Sequence, residues 1–303
     1  MIAYLFAGQG SQYVGMGKDL YEAFPESKAV FDKAEQALGV ELKRFCFEGP
    51  IEILKRTDIS QPAIVTVSIA AFEAFKARFN EKAQFYAGLS LGEYSALIAS
   101  GVMPLEEGLL LVKKRGKIME EAAHKLPGKM AAVLDLPLNK IKEVCASAGV
   151  EIANINSPVQ IVISGRSDAI DQARDLCVKA GAKRVIELEV SGGFHSSLML
   201  EASRELDMVL SRTPMVPPQV PIVSNYTGMP EQEVVKIKEN LIAQMYSSVK
   251  WEDSMRFILS QKINKFFEFG PGKVLKGLMR KIDNNAQVFS IEKKEDIDKC
   301  LGV

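Results

Sequence analysis

The sequence predicts an α/β fold in which a large domain built on a parallel sheet is interrupted by a small βαββαβ unit. Three observations carry that expectation. Gly88-Leu89-Ser90-Leu91-Gly92 joins an apolar run that reads as a strand (Phe85-Tyr86-Ala87) to a run that reads as a helix (Glu93 to Ala99). The chain opens on another apolar run, Met1 to Ala7, which reads as a buried strand and ends in a glycine-rich loop. Between Pro127-Gly128 and Gly192-Gly193 the texture changes to short segments that alternate between strand and helix periods.

Composition narrows the function classes. A chain of 303 residues can bury a sizeable core as one large domain or two unequal ones. Lysine plus arginine total 38 and aspartate plus glutamate total 38, so no bulk charge draws the chain to nucleic acid or an acidic membrane. An acidic partner must then be met by a local basic patch. Cys46, Cys145, Cys177 and Cys300 match neither metal-ligand nor redox spacing and read as reduced thiols. There is no signal-peptide pattern and no run long enough to span a bilayer, so a cytoplasmic protein is expected.

The elements follow in order. After Met1 to Ala7 comes Gly8-Gln9-Gly10-Ser11-Gln12, with Gly15 and Gly17 beyond. Gln12 and Asp19 stand where a P-loop needs glycine and Ser or Thr, and Tyr13 stands where a dinucleotide fingerprint needs its third glycine. What remains is either a loop whose N–H groups approach a ligand closely, one source of an oxyanion donor, or a plain strand-to-helix turn. Leu20 to Leu54 reads as helical, Thr57 to Pro62 as a break with Pro62 at a first helical position, and the stretch to Phe79 as a helix. Gly88 to Gly92 fits a nucleophile elbow, in which Ser90 stands at a helix N-terminus; the alternative is a serine capping an ordinary helix.

Leu105 to His124 reads as an amphipathic helix, and Arg115 falls on its apolar stripe with Leu111, Val112, Ile118 and Met119. An inward guanidinium needs an anion, supplied either by a core acid or by a carboxylate on a substrate. Strands at Met130 to Leu136, Val150 to Ala153, Gln160 to Ser164 and Arg184 to Val190, with helices at Asn139 to Ala148 and Asp168 to Ala180, give the order of a ferredoxin-like unit. His195, in Ser191-Gly192-Gly193-Phe194-His195, precedes a helix ending near Arg212; His124, the only other histidine, sits at a polar helix end. His195 is thus the better base by position, though such a histidine also serves as a cap or packing residue. Pro221 to Ser224 and Lys265 to Phe269 read as strands, and a basic helix with Lys276, Arg280 and Lys281 follows Gly270-Pro271-Gly272-Lys273.

Together these pieces resemble malonyl-CoA:acyl carrier protein transacylases and the related acyltransferase domains of polyketide synthases. The resemblance runs along nearly the whole chain. Its marks are Gly8 to Gln12, Ser60-Gln61-Pro62-Ala63, Gly88 to Tyr94, Arg115-Gly116, Asn154-Ile155-Asn156-Ser157-Pro158, Gly193-Phe194-His195, and Phe269 to Leu275. It implies an α/β-hydrolase-like domain of residues 1–127 and 193–303 carrying a ferredoxin-like insertion, residues 128–192. It implies Ser90 as nucleophile, His195 as base, the N–H groups of Gln9 and Leu91 as oxyanion hole, and Arg115 as the grip on the malonyl carboxylate. The Lys250 carbonyl, just before Trp251, would steady the histidine, and Gln61 and Asn156 would line the pocket. Phe194 is the malonyl-type choice, with bulk that excludes a 2-methyl group. Leu89 departs from the family, which usually has histidine there, so one polar contact near the pocket is missing.

The implied activity moves malonyl from malonyl-CoA to acyl carrier protein, with no cofactor and no metal, CoA as product, and a monomer as the working form. Carrier proteins are acidic, so Lys273, Lys276, Arg280 and Lys281 are either their docking patch or a solvated helix face. The rival readings are a serine thioesterase or hydrolase, a non-catalytic module that binds acyl carriers, and an acyltransferase serving a polyketide pathway in trans.

Overall fold

In the computed structural model, which describes residues 1–302, the opening strand β1 (Ile2–Phe6) is buried at every position. A strand apolar on both faces belongs inside a parallel sheet covered on both sides. β1 lies between β2 (Phe85–Gly88) and a late strand, pairing in parallel with each. The chain then leaves for a second sheet made of β3 (Gly128–Leu134), β4 (Glu151–Ser157), β5 (Gln160–Arg166) and β6 (Arg184–Glu187). It returns to the first sheet through β7 (Ile222–Val223), β8 (Pro230–Glu231), β9 (Lys265–Phe269) and β10 (Gln287–Ile291).

The first sheet has the order β10-β9-β1-β2-β7-β8, parallel except for the edge pair β7–β8. The second, β4-β5-β3-β6, is antiparallel throughout. Its helices, Leu138–Ala148 and Ser167–Lys179, bury Ile141, Val144, Ile170 and Cys177 against Val133 and Ile163, a core separate from that of the first sheet. The fold is therefore mixed α/β, as the segment pattern predicts. Among the described residues no helix is long and apolar enough to cross a membrane.

Local chemistry explains where structure and expectation part. The stretch read as continuous helix is four: Lys18–Ala23, Pro25–Leu38, Leu42–Glu48 and Ile51–Leu54. Phe24 is extended ahead of Pro25, and Gly39 ends the second helix at φ 64°. Residues 57–62 are no break either. The next helix runs Thr57–Lys76 with Pro62 inside it. A proline there costs about 3 kcal/mol in an exposed helix, but nearly every side chain of this one is buried, so packing outweighs propensity. β8, β10 and the helix Lys294–Leu301 carry no expectation from the sequence.

Candidate active site

The site is assembled at the carboxyl ends of the parallel strands, where open α/β sheets leave a crevice. Gln9 follows β1, Ser90 follows β2 and Asn225 follows β7. The turn at Ser90 is as tight as the Gly-x-Ser-x-Gly pattern requires: a Cβ on Gly88 would stand 2.0 Å from the backbone of Gly92, and one on Gly92 would stand 2.1 Å from the Phe6 carbonyl oxygen. Ser90 itself takes φ 51° and ψ −100°, a strained conformation for a residue with a side chain. Asn225 pins it. Its Oδ1 accepts the Ser90 N–H at 2.6 Å and its Nδ2 donates to the Gly88 carbonyl at 2.7 Å.

His195, also at positive φ (57°), brings Nε2 to 2.8 Å from Ser90 Oγ. Its Nδ1 lies 2.7 Å from the Gln244 carbonyl oxygen. A carbonyl only accepts, so Nδ1 carries the proton and Nε2 is left free to accept the serine proton. The expectation that Lys250 supplies this carbonyl is overturned. Gln244 lies in the last turn of the helix Val234–Tyr246, where carbonyls have no helical donor, whereas the Lys250 carbonyl is already taken by the N–H and hydroxyl of Ser254. Lys250 instead acts one step away, its N–H donating to the Asn225 carbonyl at 2.8 Å. Burial, with a smaller contribution from Arg115, pushes the imidazole down to about 4 against the opposing pull of its Gln244 hydrogen bond. His195 is therefore neutral, the form a base needs, at ordinary pH.

Arg115 is fully buried at the same point. One terminal nitrogen donates to Ser90 Oγ at 3.3 Å and to Gln244 Oε1 at 3.2 Å, and the other donates to Gln61 Oε1 at 2.9 Å. The Tyr94 ring lies 5.1 Å from the guanidinium carbon. Among the described residues no carboxylate lies within ion-pair distance of it, and its Nε–H has no hydrogen-bond partner. Of the two anions the sequence leaves open, the core acid is thus not in contact. The nearest role for an acid falls to Glu93, a buried carboxyl pushed up to about 7 by desolvation, which accepts from Asn225 N–H at 3.1 Å and Gln244 Nε2 at 2.7 Å.

Among the described residues the N–H groups of Gln9 and Leu91 have no hydrogen-bond partner. Leu91 is the first residue of the helix Leu91–Ala99, where an intrahelical acceptor does not exist. Ser90, His195 and Gln9 border a cavity of about 240 Å³ between the two sheets. Met130, Ala132, Asn154, Asn156 and Val162 of the second sheet form its far wall, with Phe194 beside the histidine. Asn156 donates to Gln160 Oε1 at 3.2 Å while its own Oδ1 is buried without a partner. Gln61 reaches the site from the helix Thr57–Lys76 by holding the guanidinium, and Leu89 is an apolar part of the cavity wall. A larger groove of about 520 Å³, between helices Leu105–Lys125 and Leu200–Arg212, contains none of these groups.

Three residues of this site escape the sequence reading: Gln244, which touches the base, the nucleophile's backbone and the guanidinium, Asn225, which clamps the elbow, and Glu93, which accepts from both. Asn225 has a faint signal, a polar residue just past a buried strand in an α/β pattern. Gln244 has none, because a helix-end carbonyl leaves no mark on residue type.

A serine hydroxyl poised on an imidazole, with unpaired N–H groups on nearby residues, can accept an acyl group and pass it on, the chemistry of serine-dependent acyl-transfer enzymes whether the final acceptor is a thiol or water. Comparison with known proteins agrees: residues 3–287 match the family described as acyl transferase domain, and the chain belongs to it. It is 42% identical over 305 residues, 99% of this chain and 96% of the other, to the malonyl CoA-acyl carrier protein transacylase of Bacillus subtilis (strain 168). It superposes with TM-score 0.95 at 38% identity, covering 99% of both chains, on an acyl carrier protein S-malonyltransferase from Vibrio cholerae. A malonyl-transacylase solved in complex with its type II PKS acyl-carrier protein matches with TM-score 0.96 at 36% identity, again over 99% of each chain.

Proposed function

We propose that the protein transfers malonyl from malonyl-CoA to the phosphopantetheine thiol of an acyl carrier protein through a malonyl-serine intermediate, supplying fatty acid biosynthesis. The observation that carries this reading is the Arg115 guanidinium, buried 3.3 Å from Ser90 Oγ with no carboxylate of the described residues in ion-pair contact, the Glu93 carboxyl being linked to it only through Gln244. A buried cation without an acid partner is unfavourable, and an acyl group that brings a free carboxylate to the serine satisfies it. The relatives named above for malonyl transfer support the same substrate.

The steps follow from the groups at hand. Ser90 gives its proton to His195 Nε2 as its oxygen attacks the thioester carbonyl. The oxyanion is met by the N–H groups of Gln9 and Leu91. Collapse breaks the carbon–sulfur bond, and the imidazolium returns the proton to the departing CoA thiolate. The thiol of the carrier arm then repeats the sequence from the other side, with His195 again taking a proton, and free Ser90 is restored. Apolar walls from Met119, Met130 and Val162 limit water at the acyl-enzyme. We further propose residues 1–127 with 193–303 as the catalytic domain and 128–192 as an inserted one that closes the pocket, in a cytoplasmic monomer that needs no cofactor. For the acidic carrier, the exposed Lys273, Lys276, Arg280 and Lys281 on and before the helix Val274–Ile282 are the proposed patch, since Val274 of the same helix borders the cavity.

The test compares malonyl transfer to holo-carrier protein with release of free malonate. Transfer far faster than hydrolysis supports the reading; hydrolysis at the same rate with or without carrier makes the protein a thioesterase. Because one structural relative is paired with a type II PKS carrier, carriers of both fatty acid and polyketide type belong in the assay.

A further inference from the structure

We propose that Glu93 is the positioning carboxylate of this site, acting on nucleophile, base and guanidinium together through the side chain of Gln244 and the backbone of Asn225. This rests on the acyl-transfer reading and assigns a part that reading does not use. Glu93 is 3% exposed and touches neither Ser90 Oγ nor His195. Its Oε2 accepts the Gln244 Nε2–H at 2.7 Å and the Asn225 N–H at 3.1 Å.

Each of those partners holds something that reacts. Gln244 Oε1 accepts from Arg115 at 3.2 Å, its Nε2 also reaches the Ser90 carbonyl at 3.3 Å, and its backbone carbonyl fixes His195 Nδ1–H at 2.7 Å. Asn225 clamps the strained turn on either side of Ser90. An amide side chain has two ends, and which end faces the guanidinium is decided by what lies behind it. The Glu93 Oε2 that faces the amide already accepts the Asn225 N–H, so it meets the Nε2 donor of Gln244 and the carbonyl end is presented to Arg115. A triad acid usually grips the histidine directly; here the carboxylate stands one residue back, and a carbonyl makes the contact.

Removing the acceptor leaves two buried donors unmet and frees the Gln244 amide to turn. Glu93→Gln keeps an acceptor oxygen in place of Oε2, while Glu93→Ala and Glu93→Met do not; the methionine fills the volume in case the alanine fails to fold. The readout is single-turnover acylation of Ser90 by malonyl-CoA and by acetyl-CoA, normalised to the fraction of chains competent to take an acyl group. E93A or E93M should lose about a hundredfold in the acylation rate constant with both donors, the cost of roughly an ångström of misplacement. E93Q should restore the rate to within about threefold, because the acceptor that orients the amide is retained. A lowered melting temperature with an unchanged rate per competent site would make Glu93 merely structural, and E93Q as slow as E93A would remove the hydrogen-bond argument; either overturns the proposal. Failure of the acyl-transfer reading looks different, because the wild-type chain itself would then take no acyl group.

Discussion

Replacing Arg115 by alanine should cost malonyl transfer about a thousandfold and leave acetyl transfer within about tenfold of wild type. The magnitude comes from the geometry. The guanidinium is fully buried and its terminal nitrogen stands 3.3 Å from the nucleophile, and a carboxylate hydrogen-bonded to a guanidinium holds its charge about 4 Å from the guanidinium's. Two unit charges at that distance attract by about 4 kcal/mol at an effective dielectric of about 20. At about 1.4 kcal/mol per tenfold, that is close to three powers of ten. Acetyl-CoA brings no carboxylate and should lose only what the vacated volume and the unmet Gln61 and Gln244 carbonyls cost. Arg115→Lys restores charge without the fork and should fall between. The assay is rapid-quench acylation with each donor at subsaturating concentration, reporting kcat/KM for the first half-reaction. Equal losses for malonyl and acetyl would refute the carboxylate grip and make Arg115 a structural cation.

Further outcomes are expected on the same footing. His195→Ala should slow acylation by roughly 10²- to 10⁴-fold with the fold intact; unchanged burst kinetics would remove it as base. Its imidazole, at about 4 rather than 6.5, makes a stability contribution that is present above pH 6.5 and lost as pH falls through 4, so urea midpoints should drop on acidification across that window less steeply in His195→Ala. Glu93 works in the opposite sense. Its carboxyl is raised from 4.5 to about 7, so the folded state is favoured below pH 4.5 and loses roughly 3 kcal/mol as pH rises through 7. Glu93→Gln should therefore be more stable than wild type at pH 8 and little different at pH 4.5; a constant offset in urea unfolding would contradict the cause assigned. Asn225→Ala removes both hydrogen bonds that clamp the elbow and should lower stability by about 2 kcal/mol, with slower acylation, as read from denaturant midpoints and burst rates.

Much of the site is legible in the sequence where chemistry is tied to backbone geometry. Gly88 and Gly92 announce a turn too cramped for a Cβ, and the strand and helix on either side place Ser90 at its apex. Arg115 is legible because helical periodicity puts it on an apolar stripe, and the βαββαβ order marks the second sheet before any contact is known. The third partner of the histidine is not. Lys250 and Gln244 are both backbone acceptors near one another in the fold, and the choice depends on which carbonyl a neighbouring helix has already used. Pro62 misleads for a related reason: local propensity argues for a helix start, while burial on nearly all sides carries the helix through it. The Asn225–Glu93–Gln244 connections span more than 130 residues of chain and are visible only once β2, β7 and the helix Val234–Tyr246 are packed together.

The most direct test is intact-protein mass spectrometry of the chain after brief exposure to malonyl-CoA, with peptide mapping of whatever is added. A gain of one malonyl group is expected on the peptide containing Ser90, absent in Ser90→Ala and discharged by holo-carrier protein. An unmodified chain that still moves malonyl, or a malonyl group on any other residue, would contradict it.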